Sequence, residues 1–178
     1  MRARIVDEND VDDVLDAGIK DILIKCFPHN EHKFSKARRW RGNVALYNAV
    51  IEADDVVCGH TAVVDRTITV GSESLRVAAV ANVSVLPEYR GTGLSDIMLN
   101  DVMAEAGKRQ FEVGLLFTTE LIKKVYMRNG WVGIEGREFV RVEKGEEIVM
   151  PAESVQMYYP LKRKEFPSGD VHLRGDKW

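Results

Sequence analysis

Cysteine is scarce in this chain of 178 residues: there are two, Cys26 and Cys58. They lie far apart in separate predicted elements, so no disulfide framework is expected and a reduced pair is the default. Low-complexity tracts and internal repeats are missing as well, which argues against solenoids and arrays. No apolar run reaches the ~18 residues that a membrane helix needs. Met1-Arg2-Ala3-Arg4 leads into acidic residues instead of the apolar core of a signal peptide. Charge of one sign is also lacking: 25 basic residues stand against 28 acidic ones, a net charge of -3, so composition makes no case for nucleic acid. What remains is an ordinary soluble composition, 45% hydrophobic and 30% charged. Its length suits one domain over residues 1–178 with one substantial core, expected in the cytoplasm with no membrane or nucleic-acid partner.

The most informative stretch runs from Asn82 to Leu99. An apolar run rich in Val, Ala and Leu stops at Pro87, which cannot donate to a sheet ladder. Gly91 and Gly93 follow, and then Leu94, Ile97, Met98, Val102 and Ala106 recur at helical spacing until Gly107 offers a stop. The order is strand, glycine turn, helix. Glycines there permit positive φ and put no Cβ between the backbone amides and a ligand. Together with the unpaired first-turn NH groups and the positive end of the helix, they make a site suited to phosphate oxygens. Packing is the competing reason for glycine in such a turn. Neither standard phosphate loop matches, since no Gly-Lys-Ser/Thr follows and the third glycine of a dinucleotide fingerprint is missing.

Elsewhere the chain alternates strands with helices. Arg2–Val6 reads as a short strand. A helix capped by Asn9 or Asp10 follows, with Val11, Val14, Leu15, Ile19, Ile22 and Leu23 at helical spacing before Pro28. Cys26, His29 and His32 invite a metal reading, but no fourth ligand is suitably spaced, and none is expected. The basic run Lys33–Arg41 reads as a solvated helix face in preference to a nucleic-acid contact. Strands are expected over Val44–Ile51, Val56–Val64, Thr67–Val70 and Leu75–Leu86, an antiparallel meander with Asp54-Asp55 as one of its turns. His60 falls inside this pattern and reads as a core or edge histidine. Val113–Phe117 suits a buried parallel strand reached by a helical crossover. Thr118 or Thr119 can cap a helix with Leu121, Ile122 and Val125 on its apolar face. Strands over Trp131–Val142 and Val155–Leu161 complete an α/β chain, a mixed and mostly antiparallel sheet flanked by helices.

Arg90-Gly91-Thr92-Gly93-Leu94-Ser95 resembles the (Gln or Arg)-x-x-Gly-x-(Gly or Ala) signature of the GNAT superfamily of N-acetyltransferases, with Ser95 departing at the last position. Lys124-Val125-Tyr126-Met127-Arg128-Asn129-Gly130-Trp131 resembles the later Tyr-x-x-x-Gly-(Phe or Tyr) helix of the same superfamily. Gly59–Val64 and Phe166–Asp170 look like the branch that holds aminoglycoside 2'-N-acetyltransferases and nodulation N-acyltransferases.

The resemblance implies acetyl-CoA as cosubstrate. Its pyrophosphate would rest on Arg90, Gly91, Thr92, Gly93, Leu94 and Ser95. Its pantetheine arm would lie along Val83, Ser84 and Val85, with the Val85 NH donating to the carbonyl oxygen as negative charge develops. By motif position Tyr126 is the acid for the departing thiolate, since a phenol with a pKa near ~10 holds its proton at neutral pH. The segment after the first helix would overhang the acceptor, which makes Phe34 and Trp40 candidate wall residues. The strand glutamate that often serves as base is replaced by Ala79 and Ala81, leaving ordered water, Glu120 or the terminal carboxylate of Trp178. The expected activity is acetyl transfer to a primary amine of a small molecule, such as an amino sugar or aminoglycoside, without a metal. A longer-chain N-acyltransferase and a non-catalytic CoA-binding module stand as alternatives, and a homodimer is left open.

Overall fold

The computed structural model describes residues 2–39 and 42–178. The chain forms two compact units, Met1–Val64 with Val80–Glu105, and Asp65–Ala79 with Ala106–Trp178. Two long strands, β3 (Val56–Val70) and β4 (Glu73–Val85), each contribute residues to both units.

In the first unit β1 (Arg4–Asp7) pairs antiparallel with β2 (Tyr47–Ala53), and β2 pairs antiparallel with β3. The β2–β3 turn is the expected Asp54-Asp55, with φ of 49° and 62°. Left-handed values at both central residues match the right-handed twist of the strands, and aspartate tolerates them better than most side chains. Helix α1 (Asp13–Cys26) starts later than the sequence pattern suggests. Glu8–Asp10 is a 3-10 turn, and Asp12 is the cap, its carboxylate accepting from the Leu15 NH at 2.8 Å. Leu15, Ile19, Ile22 and Leu23 fill the core, while Val14 is exposed. A short helix, α2 (Glu31–Phe34), follows.

Helix α3 (Leu94–Lys108) continues through Gly107. Its stop is Gln110, at φ 62°, with Phe111 NH bonding back to Ala106 O and Gln110 NH to Gly107 O. That pair of bonds satisfies last-turn carbonyls in the Schellman manner with a residue other than glycine, which is why glycine position misplaced the end. Two contacts fix α3 on the strands of its unit. Gly59 in β3 has no side chain where Met98 packs, since a Cβ there would lie 3.1 Å from the Met98 sulfur. The buried Tyr47 hydroxyl donates to Val102 O at 2.8 Å.

The second unit holds β5 (Val113–Thr118), which pairs parallel with Val77–Ala79 of β4 and antiparallel with β9 (Val155–Pro160). Antiparallel to β9 lies β6 (Val132–Gly133). The far end of β3 pairs with β10 (Val171–His172), which runs parallel to β7 (Phe139–Glu143), and β7 forms a hairpin with β8 (Glu146–Val149). The hydrogen-bonded order is β6-β9-β5-β4-β3-β10-β7-β8, a mixed sheet as expected. The runs expected at 56–64 and 67–70 are one strand, because Asp65 and Arg66 continue the pleat, Asp65 exposed and Arg66 half-buried over the Trp178 ring. Helix α4 (Glu120–Met127) departs from expectation: Leu121 is 91% exposed and Ile122 is exposed, so only Tyr126 of this helix is buried.

Replacing Tyr47 with Phe should cost about 1 kcal/mol, because it leaves the Val102 carbonyl short of a buried donor. Thermal unfolding should show a drop of roughly 2–4 °C with an unchanged circular-dichroism spectrum.

Candidate active site

The turn between β4 and α3 is built on two left-handed glycines. Pro87–Tyr89 forms a 3-10 turn, and Gly91 and Gly93 follow at φ 77° and 85°. A Cβ added at either glycine would meet nothing within 4 Å. Packing against the protein is therefore not why these glycines are there; left-handed backbone and an open approach to the amides are. The residues fit a diphosphate: α3 presents a fifteen-residue helix start behind this opening. Thr92 Oγ1 donates to Tyr89 O at 2.6 Å and braces the turn. Leu94 is buried and anchors the helix, while Arg90 and Thr92 are exposed.

Before this turn the last third of β4 is irregular. Asn82 has φ 55°, in the left-handed region that asparagine tolerates better than other non-glycine residues. Successive carbonyls here are met by side chains. Thr61 Oγ1 donates to Ala81 O at 3.0 Å, and Ser84 Oγ donates to Asn82 O at 2.8 Å. At Val85 O two donors converge, Cys26 Sγ at 3.3 Å and Arg90 Nε at 3.1 Å. Burial pushes the Cys26 thiol up in pKa, partly offset by Arg90, so sulfur keeps its proton and acts as donor. Strict alternation would set Asn82 with Ser84 against Val83 with Val85. Of Asn82, Val83, Ser84 and Val85, only Ser84 is buried.

A polar chain runs behind this strand in the same unit. Lys20 pairs with Asp16 at 2.7 Å, and Asp16 accepts from Arg38 Nε at 2.7 Å. Arg38 Nη1 reaches Glu8 at 2.6 Å, Glu8 accepts from Asn48 Nδ2 at 3.1 Å, and Asn48 Oδ1 lies 3.1 Å from His60 Nε2. The basic run is therefore not simply a solvated face: the Arg38 side chain is 14% exposed and Glu8 12%. His60 is buried, as its strand position suggested, and among the described residues its Nδ1 has no partner. Burial, helped by the nearby Arg38 charge, lowers its pKa to about 3, so the ring is neutral. It is not a base for a catalytic step. Phe34 is completely buried with its ring 5.9 Å from Phe27, so it packs in the core and offers no wall to an acceptor. Trp40 lies outside the described residues.

In the second unit Tyr126 lies in the last turn of α4 and is buried, 6.2 Å from the Trp131 ring, which stacks edge-on against Tyr159 at 5.5 Å. Gly130 at φ 83° lets Trp131 NH return to Tyr126 O, so the Tyr-x-x-x-Gly-Trp spacing is also a helix-stop geometry. Burial raises the Tyr126 pKa, with the Thr118 hydroxyl acting the other way, and the phenol holds its proton at neutral pH. Ala79 is buried and carries no carboxylate. Glu120 is ion-paired with Lys123 at 3.2 Å, and both line a cavity of about 590 Å³ with Ile134, Arg137, Phe139 and Met150. Trp178 is buried, its ring 5.0 Å from Phe117 and under the Arg66 guanidinium. Among the described residues no group of three or more His, Cys, Asp or Glu is arranged to hold a metal. Cys26 is spent on Val85, as above. Sequence reasoning missed Asn82 and Arg38, whose roles depend on contacts across 44 residues; an asparagine inside an apolar strand was the available signal.

Residues 2–133 match the acetyltransferase (GNAT) domain family, and the chain belongs to that family. It is 27% identical over 134 residues to an aminoglycoside 2'-N-acetyltransferase of Mycolicibacterium fortuitum, an alignment over 75% of this chain and 66% of that protein. The chain therefore spans just under two thirds of that relative. Its fold resembles a GNAT family N-acetyltransferase (YhbS) of Escherichia coli in complex with CoA, with a TM-score of 0.67 at 19% identity over 98% of this chain and 91% of that one. It also resembles a GNAT family acetyltransferase of Brucella melitensis in complex with acetyl-CoA, with a TM-score of 0.63 at 19% identity over 96% and 94%.

The state of His60 gives a pH signature. Its folded pKa lies below the unfolded value, so the unfolded chain binds the extra proton and stability falls as pH drops from about 6.5 toward 3. Denaturant unfolding from pH 6 to 4 should show a shallower loss in His60→Gln than in the wild type, by up to one proton, or about 1.4 kcal/mol per pH unit.

Proposed function

We propose that the chain transfers an acetyl group from acetyl-CoA to a primary amine of a small molecule of the amino sugar or aminoglycoside class. The observation that carries this reading is the pair of left-handed glycines with open space before them at the start of α3. Amides there can approach diphosphate oxygens with no side chain between. Support for the acceptor class comes from the relative named for aminoglycoside 2'-N-acetylation.

The reading assigns the first unit the donor. Arg90 through Ser95 bind the diphosphate, and the backbone of Val83, Ser84 and Val85 holds the pantetheine amides as an added strand would. The Val85 NH donates to the thioester oxygen as the amine nitrogen bonds to the carbonyl carbon and charge develops there. Ser95 in place of glycine or alanine keeps a small side chain, and it is only half exposed in the first helical turn. By its motif position Tyr126 is the acid, and its phenol proton goes to the sulfur when the C–S bond breaks. The amine's own proton leaves to water, which returns one to the Tyr126 phenolate; Ala79 and Ala81 supply no carboxylate and His60 is bonded and buried, so Glu120 and the terminal carboxylate of Trp178 are the other acceptors for that proton.

That missing carboxylate also favours a second reading, a CoA-binding module without turnover. The two separate by experiment. For the enzyme, Tyr126→Phe should lower kcat by about 10²–10⁴-fold while the Kd for CoA, measured by calorimetry, stays within about twofold. For the module, no amine releases thiol from acetyl-CoA and Tyr126→Phe changes nothing. Gly93→Val tests the diphosphate site itself. Among the described residues no atom lies within 4 Å of an added Cβ, so the chain should remain folded, yet a β-branched residue is strained at φ 85° and intrudes on the amides. CoA binding should weaken at least about tenfold, the equivalent of ~1.4 kcal/mol.

A further inference from the structure

The mechanism above uses the backbone of Val83 and Val85 but not the side chains that hold it in place. One of them is distant in sequence. Asn82, left-handed at φ 55°, points its amide at the main-chain carbonyl of Arg38, Nδ2 to O at 3.5 Å. Arg38 in turn is gripped on two prongs: Nε by Asp16 of α1 and Nη1 by Glu8 at the end of β1. A guanidinium fork fixes orientation as well as position, so the head group cannot shift without breaking both bonds, and its short stem limits how far the main chain can move. Glu8 is itself held by Asn48 from β2.

We propose that Arg38 is a positioning residue for the acyl-donor strand: its forked ion pair fixes the carbonyl that receives Asn82, and Asn82 so held keeps the left-handed turn that orients the Val83 and Val85 backbone. The proposal rests on the reading of that backbone as the donor site. Arg38 touches neither substrate nor reacting atoms. Its effect passes through one main-chain carbonyl and one asparagine, and that route can be short-circuited. Glycine takes positive φ without a side-chain tie, so Asn82→Gly should keep the turn while making it independent of Arg38. Alanine cannot take that φ without strain, so Asn82→Ala should lose the turn with the ion pairs intact.

The test is a double-mutant cycle on CoA binding by calorimetry, with KM for acetyl-CoA and for the amine measured beside it. Expected are a Kd for CoA raised at least about tenfold in Asn82→Ala, about fivefold or more in Arg38→Lys, and less than about threefold in Asn82→Gly. In the Asn82→Gly background, Arg38→Lys should then weaken binding less than twofold. KM for acetyl-CoA should rise with Kd while KM for the amine stays put. A merely structural loss would persist in the glycine background and overturn the inference, as would wild-type affinity in Asn82→Ala. Should Arg38→Lys fail to fold, Asp16→Ala, which removes one prong at a half-exposed residue, takes its place with the same expectations. A wild-type chain that binds no CoA overturns the donor-site reading first, whereas binding by the wild type with no cycle effect overturns this inference alone.

Discussion

A left-handed asparagine inside a strand is the constraint on which the first unit of this molecule turns. A strand residue normally commits its carbonyl to a neighbouring strand, and its side chain to one face of the sheet. At Ala81, Asn82 and Val85 the carbonyls are met by the side chains of Thr61, Ser84, Cys26 and Arg90. Buried backbone polar groups must be satisfied, so these side chains are the means by which β4 can leave its regular pleat within a core. The glycine turn at 91 and 93 completes the change, from pleated strand to a helix start that faces open space.

Short polar side chains therefore have an unusual share of the work. Thr61 and Ser84 are buried among valines and alanines, where each would be costly without the carbonyl it serves. The forked Arg38 pair brings β1, α1 and the segment after α2 to one point in the first unit. An ion pair this buried gives little net stability against an apolar alternative, yet it specifies one arrangement. His60, neutral and half-satisfied, closes the chain of contacts at the cost of sensitivity to acid.

Much of this was legible in the sequence, and the reasons differ by element. The strand-glycine-helix order, the Asp54-Asp55 hairpin and the parallel strand Val113–Thr118 are set by local rules of periodicity and turn chemistry. So were the two motif segments on which family membership was expected. Local rules failed where tertiary contacts decide. Asp12, not Asn9 or Asp10, became the cap because a 3-10 turn used the earlier residues. Helix α3 ran past Gly107 since that glycine sits in ordinary helical space and Gln110 supplies the left-handed stop. Phe34 looked like a wall residue by its place in the chain, but Phe27 and the core claimed its ring. Arg38 looked solvated because its partners, Glu8 and Asp16, come from elements far back in the chain.

The central claim is that the turn after β4 grips the diphosphate of CoA through its backbone. Amide chemical shifts followed by NMR during titration with CoA, and separately with a pantetheine lacking the diphosphate, address it residue by residue. The account predicts that CoA moves and protects the amides of Gly91, Thr92, Gly93, Leu94 and Ser95, and that the diphosphate-free fragment leaves those five unmoved while shifting Val83 and Val85. Saturating CoA with those five amides unshifted, or with all changes confined to other parts of the chain, would contradict it.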